Sequence, residues 1–310
     1  MPPTPKTRGA SGFDWIRFLL LVALLFWGCH GHAQSTSVAI LAPAGIAAYE
    51  GVIDTLLASA PGNMGVFDSE QTDVVKRVKE ANPDLIISLG LAASQLAMDR
   101  LAELPLVVAL VSQSRYRELT LNRQNITAVY LEQPLSRLLA LARVALPREE
   151  PVGLMATDPN SRRIIKAYLD DQPPQRLVFE PIEEDQDFES ALRTLLTNCR
   201  VLVAFHDTNI FNRSRLPVIL LSSYHYSVPV IAYTRSMVEA GAALGLYTTP
   251  EQFGAQLGDL VRFFFRSGSL PAPAYPEDFD IMINGRVSRS LGLDLPDKRI
   301  LKATLLRTQR

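Results

Sequence analysis

Val201 to Tyr247 reads VLVAFHDTNIFNRSRLPVILLSSYHYSVPVIAYTRSMVEAGAALGLY, and its pattern decides the fold. An apolar run, Val201 to Phe205, stops at the polar turn His206-Asp207-Thr208-Asn209. A helix-like stretch beginning near Asn209 follows, with Ile210, Ile219, Leu220 and Leu221 among its apolar residues. A second apolar run, Val228 to Ala232, stops at Tyr233-Thr234-Arg235, and a third, Ala243 to Leu246, closes the block. Short apolar runs alternating with helical stretches are the mark of βαβ units on a parallel sheet. Such sheets meet their ligands at the carboxyl ends of the strands, so the polar residues that end these runs are where function is sought.

The same rhythm extends upstream. Strands are expected at Val38 to Leu41, ending at Pro43-Ala44-Gly45, and at Gly65 to Phe67. Two more follow at Asp84 to Leu89, ending at Gly90-Leu91, and at Leu106 to Val111, ending at Ser112. Helices are expected at Tyr49 to Ala58, Thr72 to Ala81 and Leu91 to Leu101. Arg115 to Asn125 has no apolar period and reads as a crossing between two lobes, resuming as the extended Ile126 to Tyr130. A second set then begins: the helix Pro134 to Ala145, the strand Val152 to Met155, the helix Arg162 to Leu169, the strand Arg176 to Phe179 and the helix Phe188 to Leu196. Past Tyr247 come the helix Glu251 to Phe265, a link marked by Pro271, Pro273 and Pro276, the strand Phe279 to Ile283 and the helix Gly285 to Leu291.

With 310 residues, the chain has room for one large domain or two of about 100–150 residues. A net charge of −1 supplies no basic field for nucleic acid or anionic membrane. At the N-terminus, Lys6, Arg8 and Arg17 precede the apolar Phe18 to Trp27 and the small-x-small pattern Gly31-His32-Ala33. This reads as a secretory signal peptide over residues 1–33, cut near Ala33, with a periplasmic or other extracytoplasmic destination. A retained anchor is disfavoured because the apolar run falls short of the ~20 residues that span a bilayer. Cys29 leaves a lipoprotein anchor as the alternative, although Phe26 and Trp27 suit a lipid-attachment motif poorly. After cleavage only Cys199 remains, which excludes an intrachain disulfide.

Enzyme signatures are missing: no G-x-S-x-G elbow, phosphate loop, G-x-G-x-x-G after the first strand, or H-E-x-x-H. His206 and His225 lie too far apart for a familiar zinc pattern, so neither metal nor cofactor is expected. The strand ends carry more. Thr157, Asn160 and Ser161 precede a helix, whose free N–H groups attract carboxylates; helix capping, by Asp158 or Asn160, is the simpler reading of any single residue here, and the same holds for Asp207 and Thr208. Tyr233 can stack on a ligand or pack its ring, and Arg235 can grip a carboxylate or stand in solvent.

Near the C-terminus, Phe279-Asp280-Ile281-Met282-Ile283-Asn284 is followed by Ser290-Leu291-Gly292-Leu293-Asp294-Leu295-Pro296. Together with Leu216-Pro217-Val218, Val228-Pro229-Val230-Ile231-Ala232, Glu239-Ala240-Gly241-Ala242, Asp207-Thr208 and Asp158-Pro159-Asn160-Ser161, in that spacing, these stretches resemble the ABC-transporter substrate-binding family of the periplasmic binding protein type 1 fold. The fourth strand departs from the family, ending in Ser112-Gln113-Ser114-Arg115 where a D-P-V turn is usual.

The resemblance implies two Rossmann-like α/β lobes with parallel sheets joined by a hinge. Residues 34–128 with 236–270 would form the first lobe, and 129–235 with 271–310 the second. It implies a small molecule captured between them and handed to an ABC permease, or else reported to a membrane sensor, receptor or signalling protein; an enzyme is a remote third reading. Asp207, Thr208, Thr157, Asn160, Ser161, Tyr233 and Thr234 are expected to face the cleft from the second lobe, with Ala44, Gly45, Gly90, Leu91 and Ser112 closing over them. The Asp207 charge would suit an amino group, hence an amino-acid-like ligand.

Overall fold

The computed structural model describes residues 36–120, 124–146, 151–171, 177–183 and 187–308. The signal peptide, Cys29 and the cut near Ala33 lie outside the described residues, as do Arg123 and Arg176.

Two sheets organise the chain. The first holds β1 (Ser37–Ala42), β2 (Asn63–Asp68), β3 (Leu85–Leu89), β4 (Leu106–Val111) and β5 (Ile126–Tyr130), all parallel, in the order β2-β1-β3-β4-β5. The second holds β6 (Val152–Ala156), β7 (Leu177–Pro181), β8 (Val201–Val203), β9 (Val230–Ala232), β10 (Leu244–Tyr247) and β11 (Asp280–Ile283), in the order β11-β10-β9-β8-β6-β7. Both show the doubly wound pattern, in which strand order reverses once and leaves a crevice at the reversal. The crevice falls between β1 and β3 in the first sheet and between β6 and β8 in the second. β11 alone runs antiparallel, against β10.

Helices cover both faces, so inner strands such as β1, β3 and β4 are buried almost throughout rather than alternating. α1 (Ala47–Ser59) and α10 (Pro250–Ser267) cover one face of the first sheet, where Val38, Ile40, Ile87 and Leu89 meet Val52, Leu56, Phe253 and Leu257. α2 (Val74–Ala81) and α3 (Leu91–Arg100) cover the other, where Ala39, Leu41 and Ile86 meet Val78 and Ala97. Neighbouring residues of one strand thus feed two cores, as a period of two requires. α4 (Gln113–Leu119) follows β4.

In the second sheet, Val201, Val203 and Phe205 pack toward α5 (Leu135–Ala145) and α12 (Lys298–Thr308), with α6 (Pro159–Asp171) adding Ile165. Leu202 and Ala204 pack toward α7 (Phe188–Asn198) and α8 (Leu216–His225), with α9 (Arg235–Ala240) adding Val238. α11 (Gly285–Ser290) follows β11.

The chain passes between the sheets three times: at Tyr130–Pro134, at Tyr247–Pro250 and along 268–279. In the third passage Ala274 bridges Val129, and Tyr130 N–H donates to the Ala274 carbonyl at 3.0 Å.

Four expectations need correction. Arg115 to Asn125 is not a crossing: it lies between β4 and β5 of the first sheet, and it starts in the helix α4, capped by Ser112, whose Oγ accepts from Arg115 N–H at 3.4 Å. The segment 236–270, expected whole in the first lobe, divides. β10 pairs with β9 and β11 in the second sheet, and only α10 packs on the first. The helix expected from Asn209 begins at Leu216, just before Pro217, after a run of turns. α12 was not anticipated; Leu301 and Leu305 bury against the core while Lys302 pairs with Asp278 and Asp280, each at 3.2 Å.

Candidate functional site

The carboxyl ends of the two sheets face one another across a cleft with two hollows. The first, about 580 Å³, has Leu91, Ser112, Ser114 and Arg115 on the side of the first sheet. Across from them stand Thr157, Asp158, Ser161, His206, Asp207, Thr208 and Asn209. The second, about 540 Å³, lies between Ala48, Val52 and Phe253 on one side and Tyr233, Thr234, Arg235 and Tyr247 on the other. Leu110 and Leu131 line both and form the floor between them. Volumes of this size suit a small molecule.

Asp207 anchors the wall of the second sheet. It is 3% exposed, and both carboxylate oxygens are occupied. Oδ2 accepts from Thr157 N–H at 2.7 Å and Asp158 N–H at 3.0 Å, while Oδ1 accepts from Asn209 N–H at 3.0 Å. Thr157 Oγ1 donates to the same carboxylate, 3.0 Å from each oxygen. Since Thr157 follows β6 and Asp207 follows β8, these bonds bridge the crevice at the reversal of the sheet. A carboxylate has about four acceptor positions, so Asp207 has its direct bonding filled by its own lobe. It is not the cap of a helix at Asn209, since none starts there. Asp158 is the residue that caps: its Oδ2 accepts from Ser161 N–H at 2.8 Å and Ser161 Oγ at 2.9 Å.

His206 and Tyr233 stand edge to face with ring centroids 5.3 Å apart, and Phe211 meets Tyr233 at 6.2 Å. Burial pulls the His206 pKa down, which keeps the imidazole neutral at pH 7. Burial, reinforced by the charges of Asp207 and Glu132, pushes Tyr233 far up, so its hydroxyl stays protonated. The pair therefore offers polar but uncharged edges beside the Asp207 charge.

On the opposite wall, Leu110 has φ +58°, a left-handed conformation that strains a bulky residue by about 1–3 kcal/mol. The pairing of β4 with β5 slips at this point, between Ala109 and Val111. Such a bulge re-aims a side chain, and it puts Leu110 on the cleft floor. Gly90 has φ +85°, and a Cβ there would stand 2.4 Å from Tyr49 Oη, so the glycine lets Tyr49 close against the start of α3.

The crossings meet at Gln133, which is 2% exposed. Its Nε2 donates to Thr248 Oγ1 at 2.5 Å and to the Asp278 carbonyl at 3.2 Å. One side chain on the first passage thus binds the second and the third. Arg137 donates to Gln133 Oε1 and, at 2.8 Å, to the Pro276 carbonyl.

Of the twelve residues expected at the site, Leu91, Ser112, Thr157, Ser161, Asp207 and Thr208 line the first hollow, and Tyr233 and Thr234 the second. Asn160 stands at the rim, where its Nδ2 donates across to Glu118 Oε1 on α4 at 3.2 Å. Ala44 and Gly45 are not brought to the cleft; they line a separate hollow of about 340 Å³ with Tyr49, Asp68 and Arg77. Gly90 lines neither hollow of the cleft and packs on Tyr49. Arg235 is tied to Glu239 at 2.8 Å.

Sequence reasoning missed Leu110, Leu131, Ser114, Asn209 and Gln133. Ser114 and Asn209 sit beside expected residues and were within reach. Leu110 carries no signal, because a bulge inside an apolar run leaves composition unchanged. Among the described residues, no group of three or more His, Cys, Asp or Glu is placed to hold a metal ion.

Two doubly wound lobes, three crossings and a polar cleft at the facing strand ends define a binding protein of the periplasmic type 1 class. Residues 42–305 match the family described as ABC transporter substrate binding protein, and the chain belongs to that family. No curated protein matches the chain.

Solved structures share the fold. A ligand-free, open substrate binding protein with adhesive properties from Clostridium difficile is 17% identical, with TM-score 0.68, over 84% of this chain and 96% of its own. A domain in complex with L-Trp from Streptococcus pneumonia is 17% identical, with TM-score 0.56, over 86% and 98%. A conserved domain protein from Vibrio cholerae is 18% identical, with TM-score 0.59, over 87% and 98%.

Proposed function

We propose that this chain captures a small solute between its two lobes, outside the cytoplasm, and delivers it to an ABC transporter. The observation that carries this reading is the cleft, where both sheets end, hydroxyls and amides line the walls, and three crossings tied at Gln133 form the hinge. Family membership supports solute binding. The first lobe comprises the sheet β1 to β5 with α10, and the second comprises the sheet β6 to β11 with α12. Proteins of this family act outside the cytoplasm, in keeping with the secretory pattern before Gln34.

Ligand contacts would come from Ser112, Thr157, Ser161 and Thr208 in the first hollow and from Tyr233 and Thr234 in the second. An amino-acid-like solute fits this mixture of hydroxyls, aromatic edges and a fixed carboxylate, and the related Streptococcus fold holds L-Trp. With its acceptor positions filled, Asp207 would act on a ligand ammonium through its field rather than by direct contact. The fold and family are those of solute binding, and no catalytic role is assigned to any residue.

Native mass spectrometry of the exported protein tests this. A co-purified small molecule that disappears when Tyr233 and Thr208 are changed to Ala is the expected result. A molecule that binds equally well to the doubly substituted protein would contradict the site.

A further inference from the structure

Beside Gln133 on the first crossing stands Glu132, 4% exposed. Its Oε1 accepts from Gln113 N–H at 2.9 Å, but its Oε2 is buried with no hydrogen-bond partner. A buried polar atom left unpaired costs about 1–3 kcal/mol when neutral and more when charged. The groups facing it come from four elements. Tyr130 stands on β5, Tyr233 follows β9, Tyr275 lies on the third crossing, and Gln113 opens α4. Tyr130 and Tyr275 meet edge to face at 5.1 Å. Arg117 of α4 acts on Tyr130 and Tyr275, and among the described residues no ion pair joins it to Glu132. Tyrosine hydroxyls at neutral pH carry no charge, and among the described residues no cation is ion-paired with this carboxyl.

Gln113 is held at two points: its N–H by Glu132, and its Oε1 by Tyr275 Oη at 3.1 Å. It lies between Ser112 and Ser114, both on the wall of the first hollow. Glu132 therefore couples that wall to a lobe crossing.

We propose that Glu132 is a proton switch on the hinge: as the neutral acid it favours the lobe arrangement described here, and as the carboxylate it favours one in which Oε2 reaches water. The Gln113 N–H bond strengthens on ionisation, so the Ser112–Ser114 wall travels with the carboxylate. The switch therefore adjusts the cleft itself. Burial pushes the Glu132 pKa up to about 7, against the opposing pull of the Gln113 bond, which places the change near neutral pH. As regulation of the cleft, the inference rests on the solute-binding reading. Its test uses ligand-free protein, so failure of the switch leaves that reading standing, and failure to bind solute leaves the switch measurable.

Lys79→Cys on α2 and Thr197→Cys on α7 place spin labels on exposed positions of the two lobes, while Cys199 is buried and unreactive. Pulsed electron-spin measurements of the label distance are expected to differ between pH 5.5 and pH 8.5. In a Glu132→Gln background the two pH values should give one distribution. A pH-dependent change that persists in Glu132→Gln, or no change in the parent, would overturn the proposal.

Should Glu132→Gln fail to fold, the unsubstituted protein still decides. The Gln113 amide resonance is expected to titrate with a midpoint near 7. A midpoint in the ordinary carboxylate range, about 4.3, would overturn the proposal.

Discussion

Asp207 concentrates the chemistry of the second sheet in one side chain. Three backbone N–H groups and the Thr157 hydroxyl converge on it, so its charge organises two loops that the chain separates by fifty residues. Asn in its place has one acceptor oxygen and turns an NH2 group toward N–H donors. Bonds to a charged acceptor contribute about 1.5–3 kcal/mol each. Asp207→Asn is therefore expected to lower stability by about 2–3 kcal/mol in urea unfolding, whereas a mere helix cap would tolerate Asn. The sequence marked Asp207 and Thr157 because both end apolar runs, but it held no sign that they bond to one another. It also drew Ala44 and Gly45 to the cleft, as small residues on the strand-end edge where backbone N–H groups can approach a ligand. That edge is wide: strands lie about 4.8 Å apart, and β1 stands two places from β4. Strand order, which no local pattern encodes, decides which ends meet.

Among the elements, α10 and α1 pack closely at Gly254. A Cβ on Gly254 would lie 2.6 Å from the Val52 carbonyl oxygen and 2.6 Å from Thr55 Cβ. The backbone of α1 would have to shift, and overpacking of this kind costs about 1–3 kcal/mol. Alanine recovers at most ~1 kcal/mol through helix propensity. Gly254→Ala should therefore lower Tm in a thermal melt despite its better helix propensity. The crossings give a second case. Gln133→Ala removes two bonds between passages and one of the bonds that Arg137 makes. A loss of roughly 1–3 kcal/mol follows. Hydrogen exchange should speed up at Tyr247–Thr249 and Asp278–Phe279 while β3 stays protected.

The alternation of apolar runs and helical stretches made most elements legible, since both faces of each sheet are buried. Three helices escaped: α4, α12 and α9, the last lying where Thr234 to Val238 read as a crossing between lobes. In α4, QSRYREL carries few apolar residues, and only Tyr116 among them is buried. α12 shows Leu301 and Leu305 one turn apart among Lys298, Arg299, Lys302 and Arg307, too brief a stripe to stand out. β10 was assigned to the wrong sheet because the second crossing, at Tyr247–Pro250, is short and lies after β10 rather than before it.

At the scale of the molecule, the lobes touch through the crossings, the cleft floor at Leu110 and Leu131, and the Asn160–Glu118 bond at the rim. Each is small beside the cores within a lobe, and hinge closure of two such bodies is the expected response to a ligand that touches both. A ligand can shift that equilibrium only through contacts that differ between the open and closed forms. The cleft provides for this, with Ser112 and Leu91 on one lobe and Thr157, Ser161 and Thr208 on the other. Small-angle X-ray scattering with and without the solute that co-purifies with the exported protein is the most direct test of solute capture by lobe closure. The radius of gyration is predicted to fall on saturation and to return when the solute is removed; a radius that stays constant with the site fully occupied would contradict it.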